Sequence, residues 1–182
     1  KPAVRTPPFR MPHQTASIEG ICGGGPNCRP GEISLAHNGV LFLDEAAEFK
    51  SSVLQMLRVP LENGRITISR AGRSTVFPAD FQLLMAANPC PCGYYNHPTQ
   101  ECTCQPGTVE KYLNRISGPL LDRIDLHIEV VPVPFEELSK KGIGERSSVV
   151  RARVTRARQI QTERFADIPG MHSNSQMNSK MI

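Results

Sequence analysis

A run of apolar residues that ends in two acids constrains the fold of this chain more than any other feature. It lies in the stretch Gly39–Phe49 (GVLFLDEAAEF), where the apolar residues Val40–Leu43 lead directly into Asp44 and Glu45. A continuous apolar run of this length is typical of a strand that is buried on both faces, as in a parallel sheet. Open α/β sheets bind ligands at the carboxyl ends of their strands, so we expect both carboxylates at a ligand-binding edge.

The same pattern has the form of a Walker B motif. In such a motif the first acid holds Mg²⁺, directly or through water, and the second polarises a water for attack on a γ-phosphate. Asp44 and Glu45 are therefore the candidate catalytic acids, and Asp44 is the candidate ligand for Mg²⁺ bound with ATP. The structural alternative is a buried strand followed by a helix whose acidic first turn suits the helix dipole. The motif alone does not separate the two interpretations.

Composition limits the classes of function. At 182 residues the chain is long enough for one hydrophobic core, or for one core and the start of a second. Its net charge of +4 falls short of the strongly basic domains that bind phosphate backbones, so charge does not identify DNA as a partner. No apolar run reaches membrane-spanning length and no signal peptide opens the sequence, so no membrane partner is expected.

Further apolar runs predict two more strands of the same sheet. The first, Phe81–Ala87, is followed by Asn88, and the second is Leu126–Val131. A polar side chain at the end of a neighbouring strand can reach a water beside the acids. The alternative is that Asn88 only begins the turn before Pro89. Helical spacing predicts helices at Glu32–His37, at Val109–Ile116, at Ser147–Phe165 and from an N-cap at Ser51 to an end at Pro60 and Asn63-Gly64. A further short helix is predicted at Leu120–Arg123, with Pro119 suited to its first turn.

Two alternating segments, Arg65–Ser69 and Ser74–Phe77, predict a β-hairpin. Its tip carries Arg70 and Arg73. Arginines on a protruding hairpin can hold a phosphate backbone, so these two are candidate DNA-binding residues. The alternative is that they are solvated surface charge.

Four of the six cysteines form two C-x-C pairs, namely Cys90 with Cys92 and Cys102 with Cys104. Two such pairs across a short polar loop can supply four sulfur ligands to a structural Zn²⁺. The alternative is a tight loop of four reduced thiols, because the spacing is not the commoner C-x₂-C. Both interpretations fit a cytoplasmic protein with reduced cysteines better than a secreted protein that disulfides hold together.

Four stretches together resemble one family. They are PGEISLAHNGVLFLDEAAEF (Pro30–Phe49), VLQMLRVPLENGRITISRA (Val53–Ala71), FPADFQLLMAANPCPCG (Phe77–Gly93) and SGPLLDRIDLHIEV (Ser117–Val130). These closely resemble the magnesium-chelatase-like AAA+ proteins of bacteria, the YifB/ComM group. More distantly, the chain is similar to the ATPase subunits of magnesium chelatase and to MCM helicases.

The resemblance implies a role for each candidate residue. Asp44 and Glu45 match the Walker B pair, and Asn88 matches the sensor-1 residue that helps to place the attacking water. Arg123 matches an arginine finger, which would act on ATP held by a neighbouring subunit. The hairpin matches one that projects toward a central pore, which favours phosphate contact by Arg70 and Arg73. The cysteine segment belongs to the same group, but the resemblance does not establish its metal content.

The resemblance also implies an α/β fold, the parallel-sheet core of an AAA+ P-loop NTPase with a β-hairpin insertion. We expect a partial AAA+ core at residues 1–135, then a linker and the start of a helical C-terminal region at residues 136–182. The sequence contains no G-x-x-x-x-G-K-[ST] motif, so the phosphate-loop strand is expected upstream of Lys1. Without that loop's backbone N–H groups and lysine, the fragment alone is expected to bind ATP poorly and not to hydrolyse it.

The leading functional hypothesis is a piece of an ATP-driven hexameric ring motor that acts on branched or single-stranded DNA. The resemblance implies branch migration during natural transformation and recombination, with ATP and Mg²⁺ as cofactors. The main alternative is a protein-remodelling or metal-chelatase-like ATPase that does not depend on DNA. The third hypothesis is a non-enzymatic zinc-binding module. It leaves four candidate residues without a role, namely Asp44, Glu45, Asn88 and Arg123.

Overall fold

The computed structural model describes residues 6–70, 72–133 and 144–181. The chain divides into two compact units, Lys1–Val130 and Val131–Ile182. The predicted boundary between residues 135 and 136 lies outside the described residues.

A parallel sheet of three strands forms the centre of the first unit. Its strands, in spatial order, are β1 (Phe9–Arg10), β4 (Val40–Leu43) and β7 (Gln82–Met85). The predicted strand at Val40–Leu43 is therefore confirmed, and it is the middle strand, paired in parallel on both sides. Leu41 and Leu43 are fully buried, whereas Val40 and Phe42 are half-buried, so one face of β4 is covered more completely than the other.

Two small antiparallel pairs accompany this sheet. β2 (Gly23–Gly24) pairs with β3 (Arg29–Pro30), and β5 (Arg65–Arg70) pairs with β6 (Arg73–Pro78). The second pair confirms the predicted hairpin. Its start follows Gly64, whose left-handed conformation (φ 63°) ends the preceding helix and turns the chain into β5.

Short helices connect and cover the strands. Those of the first unit are α1 (Ile18–Cys22), α2 (Glu32–Leu35), α3 (Ser51–Met56), α4 (Arg58–Asn63), α5 (Thr108–Leu113) and α6 (Gly118–Leu121). The helix predicted from Ser51, with Pro60 and Asn63-Gly64 as its end, is thus two helices, and Pro60 lies within the second, which ends at Asn63. The nitrogen of Pro60 has no hydrogen to donate to the carbonyl of Met56, and its ring crowds that carbonyl, so the helix breaks near Leu57. Ser51 is the first residue of α3 and not its N-cap, which is Lys50.

The core lies between the sheet and helices α1 to α4. Its fully buried side chains include those of Ile21, Ile33, Leu41, Leu43, Phe49, Val53, Leu54 and Leu57. An ion pair links β1 to α2, because Arg10 of β1 donates two hydrogen bonds, of 2.6 and 2.7 Å, to the two carboxylate oxygens of Glu32 on α2.

The prediction of a strand at Leu126–Val131 is wrong. This segment forms no strand in the structure, and the side chains of Leu126, Ile128 and Val130 are exposed. An apolar alternation becomes a strand only where a neighbouring backbone supplies hydrogen bonds. β7 pairs with β4, and no described strand pairs with its other side.

The second unit contains a helix, α7 (Ser147–Arg164), and a short 3₁₀ turn, Asn174–Gln176. The predicted helix is confirmed, but its predicted buried face is not. The helix α7 buries none of its residues, and the side chains predicted to be buried are all exposed, namely Val150, Val154, Ala157 and Ile160. Polar contacts join the helix end to the turn, with Arg164 Nη1 donating to Asn174 Oδ1 at 2.9 Å. Among the residues that the structure describes, no helix is both long enough and apolar enough to cross a membrane.

Candidate functional site

The two acids lie at the carboxyl end of the middle strand of the parallel sheet, as the sequence predicts. Both Asp44 and Glu45 are exposed. Asp44 Oδ1 accepts a hydrogen bond of 3.0 Å from the backbone N–H of Glu45, which holds the first carboxylate against the turn. The second carboxylate is held from another part of the chain, because Gln14 Nε2 donates to Glu45 Oε2 at 3.1 Å.

Glu45 adopts an unusual backbone conformation. Its φ of 50° and ψ of 45° place it in the left-handed region, which a residue with a β-carbon rarely occupies. A 3₁₀ turn, Ala46–Glu48, begins immediately after it. The strand therefore ends at Leu43 and the chain turns at the two acids, which lie at the carboxyl end of the strand.

Hydrogen bonds beyond the regular ladder bind this turn to the end of β7. The N–H of Ala86 donates to the carbonyl of Leu43 at 3.0 Å, and the N–H of Ala46 donates to the carbonyl of Ala86 at 2.8 Å. The chain leaving β7 consequently runs beside the acids before it reaches Asn88, which is exposed. The structure thus places Asn88 on the neighbouring strand's continuation, at the same edge of the sheet as Asp44 and Glu45.

Arg123 lies in the turn after α6 and is anchored on a different element. Its guanidinium forms an ion pair with Glu62 of α4 and also donates to the carbonyl of Pro119. Its side chain is 23% exposed, and its Nε is buried without a hydrogen-bond partner in the described part of the chain. Its hydrogen bonds are thus made to Glu62 and Pro119, and Asp44 and Glu45 are not among its partners.

Arg70 and Arg73 occupy the last paired positions of the hairpin, where their Cα atoms are partners across the ladder. This is the position that the sequence predicts for the tip. Their side chains lie outside the described residues, so the structure gives the register of the two arginines and not their contacts.

The four cysteines Cys90, Cys92, Cys102 and Cys104 are brought together. Their sulfur atoms all lie within 4.8 Å of one another. A hydrogen bond from the backbone N–H of Tyr94 is the largest cause of a lowered pKa for Cys92, about 5, and it outweighs the opposing effect of burial. His97 is engaged elsewhere, because its Nδ1 accepts backbone hydrogen bonds from Thr99 and Gln100.

Sequence reasoning missed three residues around the site, namely Gln14, Glu62 and Arg115. Arg115 Nη1 donates to the carbonyl of Ala47 at 3.1 Å and to Glu48 Oε2 at 3.2 Å, and so ties the segment after α5 to the turn that follows the acids. Gln14 and Glu62 likewise contact their partners from distant parts of the chain. Such long-range pairs leave no periodic pattern in a sequence, so no local signal marked them.

Comparison with known proteins places the chain in a family. The family model for magnesium chelatase, subunit ChlI, matches residues 1–138. The competence protein ComM of Haemophilus influenzae is 50% identical over 176 residues, which cover 96% of this chain and 33% of the relative. YifB of Escherichia coli is 49% identical over 161 residues, which cover 88% of this chain and 31% of the relative.

A more distant relative is the magnesium-chelatase 67 kDa subunit of Chlorobaculum parvum. It is 36% identical over 103 residues, or 57% of this chain and 13% of the relative. The chain spans about a third of the length of ComM and YifB. The match of the family model to most of the chain and the near-50% identity to ComM and YifB show that this chain belongs to the magnesium chelatase family, as a ComM/YifB-like member.

Proposed function

We propose that this chain is part of an AAA+ ATPase, and that Asp44 and Glu45 are its Walker B acids. The observation that carries the proposal is the pair of exposed carboxylates in the turn directly after the middle strand of a parallel sheet. Membership of the magnesium chelatase family supports ATP and Mg²⁺ as cofactors. The donor set fits, since Mg²⁺ prefers carboxylate and water oxygens.

Each residue has a distinct part in this proposal. Asp44 would hold Mg²⁺, which neutralises charge on the nucleotide phosphates when it is bound. Glu45 orients and polarises the attacking water, and its hydrogen bond to Gln14 fixes one carboxylate oxygen while the other stays available. Asn88, at the same edge of the sheet, helps to place that water. Structural Zn²⁺ in the four-cysteine cluster is a separate proposal and takes no part in this chemistry.

Arg123 is proposed to act on ATP held by the neighbouring subunit of a ring. Its contacts are compatible with this role, because its guanidinium bonds to Glu62 and Pro119 and not to Asp44 or Glu45. A guanidinium that reaches a γ-phosphate from the next subunit stabilises charge on the transferring phosphoryl group. We take the ring to be a hexamer and the protein to be cytoplasmic.

The proposed substrate is DNA, either branched or single-stranded, and the proposed activity is helicase or branch migration in natural transformation and recombination. The name of the H. influenzae relative, a competence protein, supports this assignment. The pairing of Arg70 with Arg73 at the end of the hairpin supports a contact with phosphates. The alternative is a remodelling or chelatase-like ATPase that needs no DNA, and the match to a magnesium-chelatase subunit favours it.

Steady-state ATP hydrolysis by the whole protein tests both candidates. It is measured without DNA, with linear duplex and with a four-way junction, for the natural sequence and for Glu45→Gln and Arg123→Ala. Stimulation by the junction that both substitutions abolish supports the DNA motor. Turnover that responds to no DNA, but still needs Glu45, supports the alternative.

The hairpin arginines are tested by a matched comparison. Arg70→Ala combined with Arg73→Ala is expected to abolish stimulation by DNA and to leave turnover without DNA unchanged. Arg65→Ala, at the exposed base of the same hairpin, is the control and is expected to retain stimulation. Equal stimulation of both variants would contradict a DNA contact at the tip.

A further inference from the structure

The segment between β7 and α5 has no hydrophobic core of its own. Cys90 and Tyr112 are buried at its two ends, but none of residues 91–111, all of which the structure describes, is buried. Ordering a residue costs roughly 1–2 kcal/mol in conformational entropy, and burial of apolar surface is what normally offsets that cost. A segment of this length that holds one conformation without a core therefore needs another source of stability, such as a disulfide or a metal ion.

The four sulfur atoms in this segment have the spacing of a metal cage. The Sγ atom of Cys90 lies 3.3 Å from that of Cys92 and 3.8 Å from that of Cys102, and the sulfurs of Cys92 and Cys102 are 3.5 Å apart. All four sulfurs, with Cys104, fall within 4.8 Å of one another. A tetrahedron with Zn–S bonds of about 2.3 Å has edges of about 3.8 Å, close to these separations.

Backbone N–H groups point at every one of these sulfurs. Tyr95 N–H donates to Cys90 at 3.3 Å, and Tyr94 N–H donates to Cys92. The N–H of Cys104 donates to Cys102, while that of Cys92 donates to Cys104. Hydrogen bonds of this kind orient metal ligands and stabilise negative charge on sulfur. Four sulfurs this close together can all lose their protons only beside a cation, which offsets the repulsion between the thiolates.

We propose that Cys90, Cys92, Cys102 and Cys104 bind one structural Zn²⁺ ion. The chemistry of the set selects the ion, because four sulfurs in tetrahedral proximity suit zinc, whereas Mg²⁺ requires oxygen ligands. The site is structural because four protein ligands leave no open position for water or substrate. His97 is not one of the four ligands, because neither of its ring nitrogens belongs to the group of atoms that lie within 4.8 Å of one another.

The ion would fix the chain between Asn88 and α5. Cys90 follows Asn88 closely, and the pair Cys102 and Cys104 precedes α5, whose Tyr112 is buried. Arg115 then binds the turn after the acids through Ala47 and Glu48. The zinc site thus closes a loop that begins and ends at the ATPase site proposed here. The metal site itself does not depend on that function.

Metal content of the whole protein, purified under reducing conditions, is the direct test. After equilibration with Zn²⁺ and removal of free metal, we expect about one tightly held zinc per chain by elemental analysis. Cys92→Ser and Cys104→Ser, at two of the partly exposed ligands, are expected to lose it. The matched control is Cys28→Ser, a partly exposed cysteine outside the cluster, which is expected to keep it.

Two further measurements test the proposal on the natural sequence, so they remain informative if a cysteine variant fails to fold. Co²⁺ bound in place of zinc is expected to show sulfur-to-cobalt charge-transfer bands and the intense visible bands of tetrahedral thiolate coordination. Removal of zinc by chelator is expected to open residues 91–111 to protease while the remainder of the first unit stays resistant. A folded, reduced protein that retains no metal, that holds iron in preference to zinc, or whose cobalt form lacks the thiolate bands would overturn the proposal.

Discussion

Gln14 and Glu45, which are 31 residues apart in sequence, are joined by a hydrogen bond of 3.1 Å between the amide nitrogen of the first and a carboxylate oxygen of the second. The bond fixes the orientation of the carboxylate that we propose polarises water. Glu45 is exposed, so without this contact its side chain would be free to rotate.

Gln14→Ala is therefore expected to lower kcat for ATP by roughly 3- to 10-fold, which corresponds to about 0.7–1.4 kcal/mol, the range of one ordinary solvent-exposed hydrogen bond. KM for ATP is expected to stay within about twofold, because the contact orients water and does not bind nucleotide. Gln82→Ala, at an exposed glutamine of β7, is the control. A rise in kcat, or a change confined to KM, would show that the bond has a different role.

Mixing two inactive proteins tests whether Arg123 acts between subunits. Glu45→Gln and Arg123→Ala are each expected to abolish turnover alone. In a mixed ring, an Arg123→Ala subunit keeps its own Glu45 and can receive Arg123 from a Glu45→Gln neighbour. Random mixing in equal amounts is therefore expected to restore about a quarter of the sites. No recovery from variants that still assemble and bind ATP would mean that Arg123 acts within its own chain.

The buried face of β4 is expected to dominate the stability of the first unit. Leu43→Ala removes a fully buried side chain and is expected to lower the free energy of unfolding by about 2–5 kcal/mol. Leu84→Ala on the neighbouring strand, where the side chain is 44% exposed, is expected to cost much less. Denaturant unfolding of both variants checks this, and equal losses would mean that the core is misplaced.

Cys22 is expected to make stability depend on pH above neutrality. Burial raises the pKa of its thiol from 9.0 to about 11, so the folded chain keeps a proton that the unfolded chain loses in this range. Because the folded state then binds more protons than the unfolded state, stability is complete below about pH 9 and falls as the pH rises through about 11. Unfolding midpoints measured across this range are expected to fall less steeply for Cys22→Ala. The same slope in both proteins would refute the assignment.

Local signals in the sequence predicted most of the elements correctly. The apolar run Val40–Leu43 gave the middle strand and the position of both acids, and Asn63-Gly64 marked the turn into the hairpin. Pro119 similarly marked the first turn of α6. These features depend on residues close together in the chain, where side-chain periodicity and backbone restrictions act directly.

The failures at Leu126–Val131 and on α7 involve partners that a local pattern does not contain. Leu126–Val131 has the alternation of a strand but pairs with no described strand, and α7 has an apolar stripe but buries none of its residues in the described part of the chain. At the candidate site, the acids were predicted and the residues that hold them were not. Gln14 reaches Glu45 only because the parallel pairing of β1 with β4 brings the two segments together.

The left-handed backbone of Glu45 has a consequence for how this protein responds to engineering. A side chain with a β-carbon in that conformation costs on the order of 1 kcal/mol or more, and glycine would relieve the cost. Screening variants only for heat resistance would therefore reward the loss of the very carboxylate that we assign to catalysis. A rise in melting temperature on substitution of Glu45 would measure the stability that the fold loses by holding this residue in a left-handed conformation. A library selected for stability would therefore also need an activity screen to keep the carboxylate.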